Sequence, residues 1–181
     1  SSTTFTVSGS ELAITSGGVL SFASAPDYET KSSYTATVTA TDGTNSTTQS
    51  VTVTVTDVDD VAPVFSSSAS FSAAENQTAI GTVTATDVDS SSTTFTVSGS
   101  ELAITSGGVL SFVSAPDYET KSSYTATVTA TDGANSTTQS ITVTVTDVDD
   151  VAPVFSSSAS FSAAENQTAI GTVTATDVDS S

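Results

Sequence analysis

The stretch Tyr124-Thr125-Ala126-Thr127-Val128-Thr129-Ala130-Thr131 and, after a polar break, Ile141-Thr142-Val143-Thr144-Val145-Thr146 decide the fold. In both segments an apolar residue alternates with a threonine. Side chains of an extended strand point to opposite faces in turn, so one face of each segment is apolar and the other hydroxylated. Threonine suits the wet face because it is β-branched and polar. Working outward, shorter strand signals lie at Ser68–Ala73, Ile80–Thr86, Thr94–Ser98, Leu102–Thr105 and Val109–Phe112. Turn residues separate them: Ser90–Ser92, Gly107-Gly108 and Asp132-Gly133. Short strands in this number, with no helical period, predict an all-β, seven-stranded Greek-key sandwich of two sheets. Its core draws on Phe65, Phe71, Val83, Phe95, Leu102, Ile104, Leu110, Phe112, Tyr124, Val128, Ile141, Val143 and Val145.

The same pattern occurs twice. Residues 1–91 match residues 91–181 at a shift of 90, with three differences: Ala23 against Val113, Thr44 against Ala134, and Val51 against Ile141. The chain is two periods of 90 residues and one residue over. A repeat of this length is a structural unit in an array. The expected division is residues 1–60 as the last five strands (C to G) of one sandwich, 61–150 as one complete repeat, and 151–181 as the first two strands (A and B) of the next. Tandem near-identical copies favour spacers and multivalent binders over enzymes.

Composition narrows the chemistry. Twenty Asp and Glu face two Lys, for a net charge of −18. Nucleic acid and anionic membranes would be repelled, whereas cations would be drawn in. With no Cys and no His, the chain has no thiolate or imidazole for a zinc site, a thiol nucleophile or a Ser-His-Asp triad. No apolar run is long enough for a membrane-spanning helix, so no membrane insertion is expected.

The acids are not spread out. In the complete period they stand at Glu75, Asp87-Val88-Asp89, Glu101, Asp117-Tyr118-Glu119, Asp132 and Asp147-Val148-Asp149-Asp150, and only Glu101 lies outside a cluster. Crowded carboxylates repel unless something offsets them. Calcium is suited to this, since it takes about six to eight oxygen ligands, whereas magnesium keeps much of its water. Taken singly, Asp132-Gly133 reads as a turn and an Asp-x-Asp as a solvated loop. Together, in one order and at a fixed period, they read as a metal-binding set.

That order resembles the cadherin repeat. The motifs are Pro63-Val64-Phe65 at the start, Glu75-Asn76 after strand A, Ala85-Thr86-Asp87-Val88-Asp89 after strand B, Pro116-Asp117-Tyr118-Glu119 before strand F, Ala130-Thr131-Asp132-Gly133 after strand F, and Asp147-Val148-Asp149-Asp150-Val151 as linker. The resemblance covers the whole chain. It implies a cadherin/immunoglobulin-like fold and up to about three calcium ions at each junction between repeats. It assigns one junction to Glu75, Asp117, Glu119, Asp147, Asp149 and Asp150 with Asp177 and Asp179. The other takes Asp27, Glu29, Asp57, Asp59 and Asp60 with Asp87, Asp89 and Asp132. Backbone carbonyls of Val58, Val61, Val148 and Val151 stand where the family uses linker carbonyls. Glu165 of one chain and Asp42 of another would complete the two sets if chains run head to tail.

Departures bear on the details. Asp59 and Asp149 replace a linker Asn, and Tyr28 and Tyr118 replace an Arg that does not ligate. Ser90-Ser91-Ser92-Thr93 replaces an Asn-containing loop and weakens the case for a third ion. The absence of Trp removes the strand exchange used in animal cadherin adhesion. High Ser and Thr, no Cys and near-identical copies are similar to cadherin-like repeats of giant bacterial surface adhesins. The expected role is therefore a calcium-stiffened extender, extracellular or on a bacterial cell surface, whose partners are calcium ions and neighbouring repeats. The rival is a calcium-dependent carbohydrate- or protein-binding module, for which Tyr28 and Tyr118 are the only plausible exposed rings. Paired carboxylates could in principle hydrolyse glycosides, but chelating acids are committed to their metal, and no enzyme is expected.

Overall fold

In the computed structural model of the chain, residues 2–89 and 92–179 are described; the centre of the expected Ser90–Ser92 turn lies outside them. The chain divides into two compact units. One comprises Ser1–Val61 with Val88–Ser91, the other Ala62–Asp87 with Ser92–Ser181.

The first unit carries β1 (Thr4–Val7), β2 (Leu12–Ile14), β3 (Leu20–Phe22), β4 (Ser33–Thr41) and β5 (Ser46–Thr54). β1, β4 and β5 form one antiparallel sheet, and β2 and β3 form a hairpin. The second unit carries β6 (Val64–Phe65), β7 (Ser70–Ala74), β8 (Ala79–Thr82), β9 (Ala85–Thr86), β10 (Thr94–Val97), β11 (Leu102–Ile104), β12 (Val109–Phe112), β13 (Ser123–Thr131) and β14 (Ser136–Thr146). It ends with β15 (Val154–Phe155) and β16 (Ala175–Thr176).

Residues 62–150 make a two-sheet sandwich. One sheet has the order β10-β13-β14-β7, the other β11-β12-β8, and β6 pairs with β9 beside them. β13 and β14 contain the alternating segments Tyr124–Thr131 and Ile141–Thr146, and they pair over nine residues from Ser123↔Thr144 to Thr131↔Ser136. Their apolar rows face inward: Val128, Ala130, Ile141, Val143 and Val145 are all buried. Phe95, Leu102, Leu110, Phe112 and Val83 close the core from the other strands, with Phe65, Phe71 and Tyr124 packed at its edge. Two small residues absent from the sequence-based core, Ala73 and Ala130, complete it.

The expected strands A and B each break in two. β6 pairs antiparallel with β9, while β7 crosses to the other sheet and runs parallel to β14. A strand that switches sheets ties the two faces together at the edge. Gly108, expected as a turn, sits at φ +88, and a Cβ there would lie 2.1 Å from the Val83 carbonyl oxygen. Only glycine permits that approach between the β11–β12 turn and strand B.

Residues 151–179 have the sequence of residues 61–89 but form only β15 and β16, paired to each other. The counterparts of β7 and β8 are irregular. In the complete repeat those strands are held by ladders to β14 and β12, and a strand without a partner leaves its backbone groups unpaired. Phe155 and Phe161 are exposed, beside the tyrosines expected to supply the only exposed rings.

Candidate metal centre

In the second unit five carboxylates converge. Oxygens of Glu75, Glu119 and Asp147 lie within 4.8 Å of one another, and so do oxygens of Glu119, Asp150 and Asp179. Glu119 belongs to both groups. The contributors come from the end of β7, the loop before β13, the segment after β14 and the segment after β16. Acids far apart in sequence are thus gathered at the residue 147–151 linker.

Backbone hydrogen bonds hold this arrangement. Glu75 is buried and accepts from the Val148 N–H through Oε1 and the Tyr118 N–H through Oε2, each at 2.8 Å. It pins the linker to the loop before β13. Asp179, 7% exposed, accepts from both the Asp150 and Val151 N–H groups through Oδ2. Its Oδ1 is buried with no hydrogen-bond partner. A buried carboxylate oxygen without a donor is costly, and a cation would satisfy it. Asn76, held in the left-handed region at φ 61, donates its side-chain amide to Asp150. Sequence reasoning missed that contact; the signal was an Asn directly after Glu75, a residue type that tolerates positive φ.

Other predicted ligands stand apart from the two groups. Asp117 caps its own turn, with Oδ1 accepting from the Thr120 N–H and Oδ2 from the Thr120 hydroxyl. Asp177 accepts from the Asp179 N–H at 3.2 Å. Asp149 and Glu165 are exposed. Asp132 caps the β13–β14 turn through Oδ1, which takes the Ala134 and Asn135 N–H groups, and leaves Oδ2 buried without a hydrogen-bond partner. Asp87 is half-buried at the end of β9.

The first unit repeats parts of the pattern. Asp89 Oδ2 accepts from the Asp60 and Val61 N–H groups, each at 2.9 Å, as Asp179 does one period later. Asp27 caps its turn through Thr30 as Asp117 does. Asp42 Oδ1 takes the Thr44 and Asn45 N–H groups. Val58, Asp57, Asp59 and Asp60 are exposed beside them.

The lysines explain the one acid outside the clusters. Lys121 Nζ lies 2.5 Å from Glu101 and 4.4 Å from the Tyr124 ring centroid, and Lys31 pairs with Glu11 in the same way. Both basic residues of the chain are thereby committed away from the acid groups. Counter-charge for Glu75, Glu119, Asp147, Asp150 and Asp179 has to come from solution. Five carboxylates around one linker are a hard, all-oxygen donor set, which fits calcium in ligand type and number.

Two acids of one motif are pushed in opposite directions. Hydrogen bonds from the Thr120 hydroxyl and backbone hold Asp117 below the usual aspartate value of 3.8. Desolvation raises Glu119 above 4.5, helped by the negative charges of Glu75, Asp179 and Asp147. Asp27 is likewise lowered by Thr30. At Glu29 a bond from its own backbone works downward, but desolvation and Asp57 carry the net shift upward. The lowered Asp117 contributes stability present above its unfolded value and lost as pH falls through its folded value. The raised Glu119 does the reverse: it favours folding while protonated, and that contribution is lost as pH rises through its folded value. In chelator, a carbon-detected NMR titration should therefore place Glu119 above and Asp117 below their ordinary midpoints, and calcium should pull Glu119 down. A Glu119 midpoint indifferent to calcium would mean no ion sits beside it.

No known family model and no curated protein matches this chain. Solved structures do. The protocadherin gammaB7 EC3-6 cis-dimer structure is 28% identical with a TM-score of 0.80, over 100% of this chain and 52% of that one. Mouse cadherin-23 EC22-24 is 26% identical with a TM-score of 0.75, over 99% and 66%. Drosophila N-cadherin EC1-4 is 26% identical with a TM-score of 0.68, over 80% and 41%. The chain spans about half to two thirds of the first two. Fold and acid placement together define a class: tandem β-sandwich repeats with carboxylates gathered at a linker. The fold is that of cadherin extracellular repeats.

Proposed function

We propose that this chain is a calcium-stiffened extender segment of an extracellular or surface-anchored adhesin, of the bacterial giant-adhesin type, with repeat boundaries at residues 60/61 and 150/151. The observation that carries the reading is Glu119, shared by two carboxylate groups that join residues before the linker to Asp179 after it, with both lysines engaged elsewhere. Glu75, Glu119, Asp147, Asp150 and Asp179 hold calcium at this linker. Asp149, which is exposed, joins as a further ligand, as do Asp117 and Asp177 by rotating away from their present local hydrogen bonds. In the first unit the corresponding acids serve the 57–61 linker: Asp27, Glu29, Asp57, Asp59, Asp60 and Asp89.

Calcium supplies positive charge that cancels the repulsion. Because its ligands come from both sides of the linker, it also ties adjoining repeats together. A repeat whose last strand has 11 residues is about 37 Å long at ~3.4 Å per residue, so an array holds whatever it carries well away from its anchor. Small-angle scattering of a multi-repeat protein should show a rod in calcium and a shorter, flexible chain in chelator. Asp149→Ala with Asp150→Ala should loosen the altered linker in calcium and leave each sandwich folded. A mutant linker as stiff as the parent would overturn the reading.

A further inference from the structure

One uncharged side chain reaches into the carboxylates around the 147–151 linker. Had the chain stayed extended past β7, consecutive side chains would point to opposite sides, and the residue after Glu75 would turn away from the linker. Asn76 does not turn away. It sits at φ 61, in the left-handed region that asparagine enters more readily than most residues. The turn brings Asn76 to the same side as Glu75, and its side-chain amide donates to Asp150 Oδ2.

The backbone fixes this pair of residues on both sides. The Glu75 N–H donates to the Thr146 carbonyl at 3.1 Å, and the Asn76 N–H to the Pro116 carbonyl at 3.0 Å. With the bonds that the Glu75 carboxylate accepts from Val148 and Tyr118, Glu75 and Asn76 join the end of β14, the loop before β13 and the linker. The turn itself is set locally. Asn166, the same residue one period later, is at φ 64, although no strand like β7 leads into it. The Asn76 amide is thus held in place by its own backbone rather than by Asp150.

We infer that Asn76 is a positioning residue for one of the two carboxylate groups and not the other, an inference that rests on the calcium reading above. Asp150 belongs to the group with Glu119 and Asp179, whereas Glu75 and Asp147 form the other group with Glu119. By holding Oδ2, the Asn76 amide fixes the plane of the Asp150 carboxylate and leaves its remaining lone pairs for a cation. It offsets part of the repulsion among Glu119, Asp150 and Asp179 while adding no charge. A neutral donor is what this position requires. A lysine ammonium there would compete with the ion, and an ionised aspartate would have no proton to give. Partners that orient metal-binding side chains typically carry about 10–100-fold in metal affinity. Here that effect falls on one ion, because Asn76 touches one group. Glu119, shared by both, acts on two.

The test is a calcium titration of the whole 181-residue chain followed by amide NMR. The Val148 N–H, bonded to Glu75, reports on the first group, and the Val151 N–H, bonded to Asp179, on the second. Asn76→Gly removes the amide and still permits φ 61. In this variant the calcium midpoint read at Val151 should rise about tenfold or more, and the one read at Val148 by about twofold at most. Asn166→Gly, the same change one period later, should leave both midpoints at the parent's values. Asn76 is exposed, so in chelator the variant's amide spectrum across β10–β14 should match the parent's and show a folded sandwich. A Val151 midpoint within about twofold of the parent's would overturn the inference. So would an equal rise at both amides, which would make Asn76 a structural part of the turn and nothing more. If neither amide of the parent moves with calcium, the calcium reading itself fails and this inference falls with it.

Discussion

Transfer from excess chelator to 10 mM calcium raises the melting temperature of the unit containing residues 62–150 by about 10–20 °C or more. The size follows from linkage. Extracellular calcium modules bind with dissociation constants of about 10⁻⁴–10⁻³ M. At a free concentration about 100 times the dissociation constant, one site contributes about 2.7 kcal/mol, and two independent sites about twice that. For a domain near 100 residues, each kcal/mol moves the midpoint by about 4–8 °C. The same concentration of magnesium should give much less, because magnesium keeps its water and demands octahedral geometry that a flexible linker does not supply. Differential scanning calorimetry in chelator, calcium and magnesium checks this. Equal midpoints in chelator and calcium would remove the metal from the account, and the carboxylates would then be a solvated acidic surface.

Glu119→Gln should do more damage to that response than any other single substitution. It is the residue common to both carboxylate groups. Its loss leaves each group with two acids and removes one charged ligand from both ions. A tenfold weakening at each site is about 1.4 kcal/mol apiece, enough to cut the calcium-dependent rise by about half. In chelator the sign reverses. Gln cannot repel Glu75, Asp147 and Asp179, so the substituted protein should melt no lower than the parent. Glu101→Gln is the control: its partner is Lys121, a half-exposed pair worth about 1 kcal/mol or less, and its calcium response should match the parent's. Calorimetric calcium titration of the three proteins separates the outcomes. A parent-like affinity in Glu119→Gln would show that the acids gathered at this linker do not hold the ion together.

The sandwich and the core rows rest on features that repeat along the chain, which is why the sequence shows them. Alternation at positions 124–131 and 141–146 dictates which side chains face inward once a strand forms, because successive side chains of a strand point to opposite sides. The buried row from Val128 to Val145 follows from it. Acid spacing at a 90-residue period identified which residues to watch, and Glu101 stood out as the acid without a cluster. The reason for that exception, Lys121 twenty residues away, is a contact between loops and has no local signature.

The sequence by itself determined the strand class, the repeat and the charge that must be neutralised, since these depend on residue types and their order. Only the tertiary structure decided which carboxylates meet. Glu75, Glu119, Asp147, Asp150 and Asp179 are drawn from four separate segments, and their convergence depends on the β7–β14 register and on backbone N–H groups that Glu75 and Asp179 capture. Asp117 shows the same limit from the other side. It shares a motif with Glu119, yet Thr120 turns it into a cap, because a short side chain bonds the nearest backbone donor. The split of strands A and B was likewise beyond reach of the pattern. A strand leaves one sheet for another where its partners' ladders end, and those partners lie up to about 70 residues away in the chain.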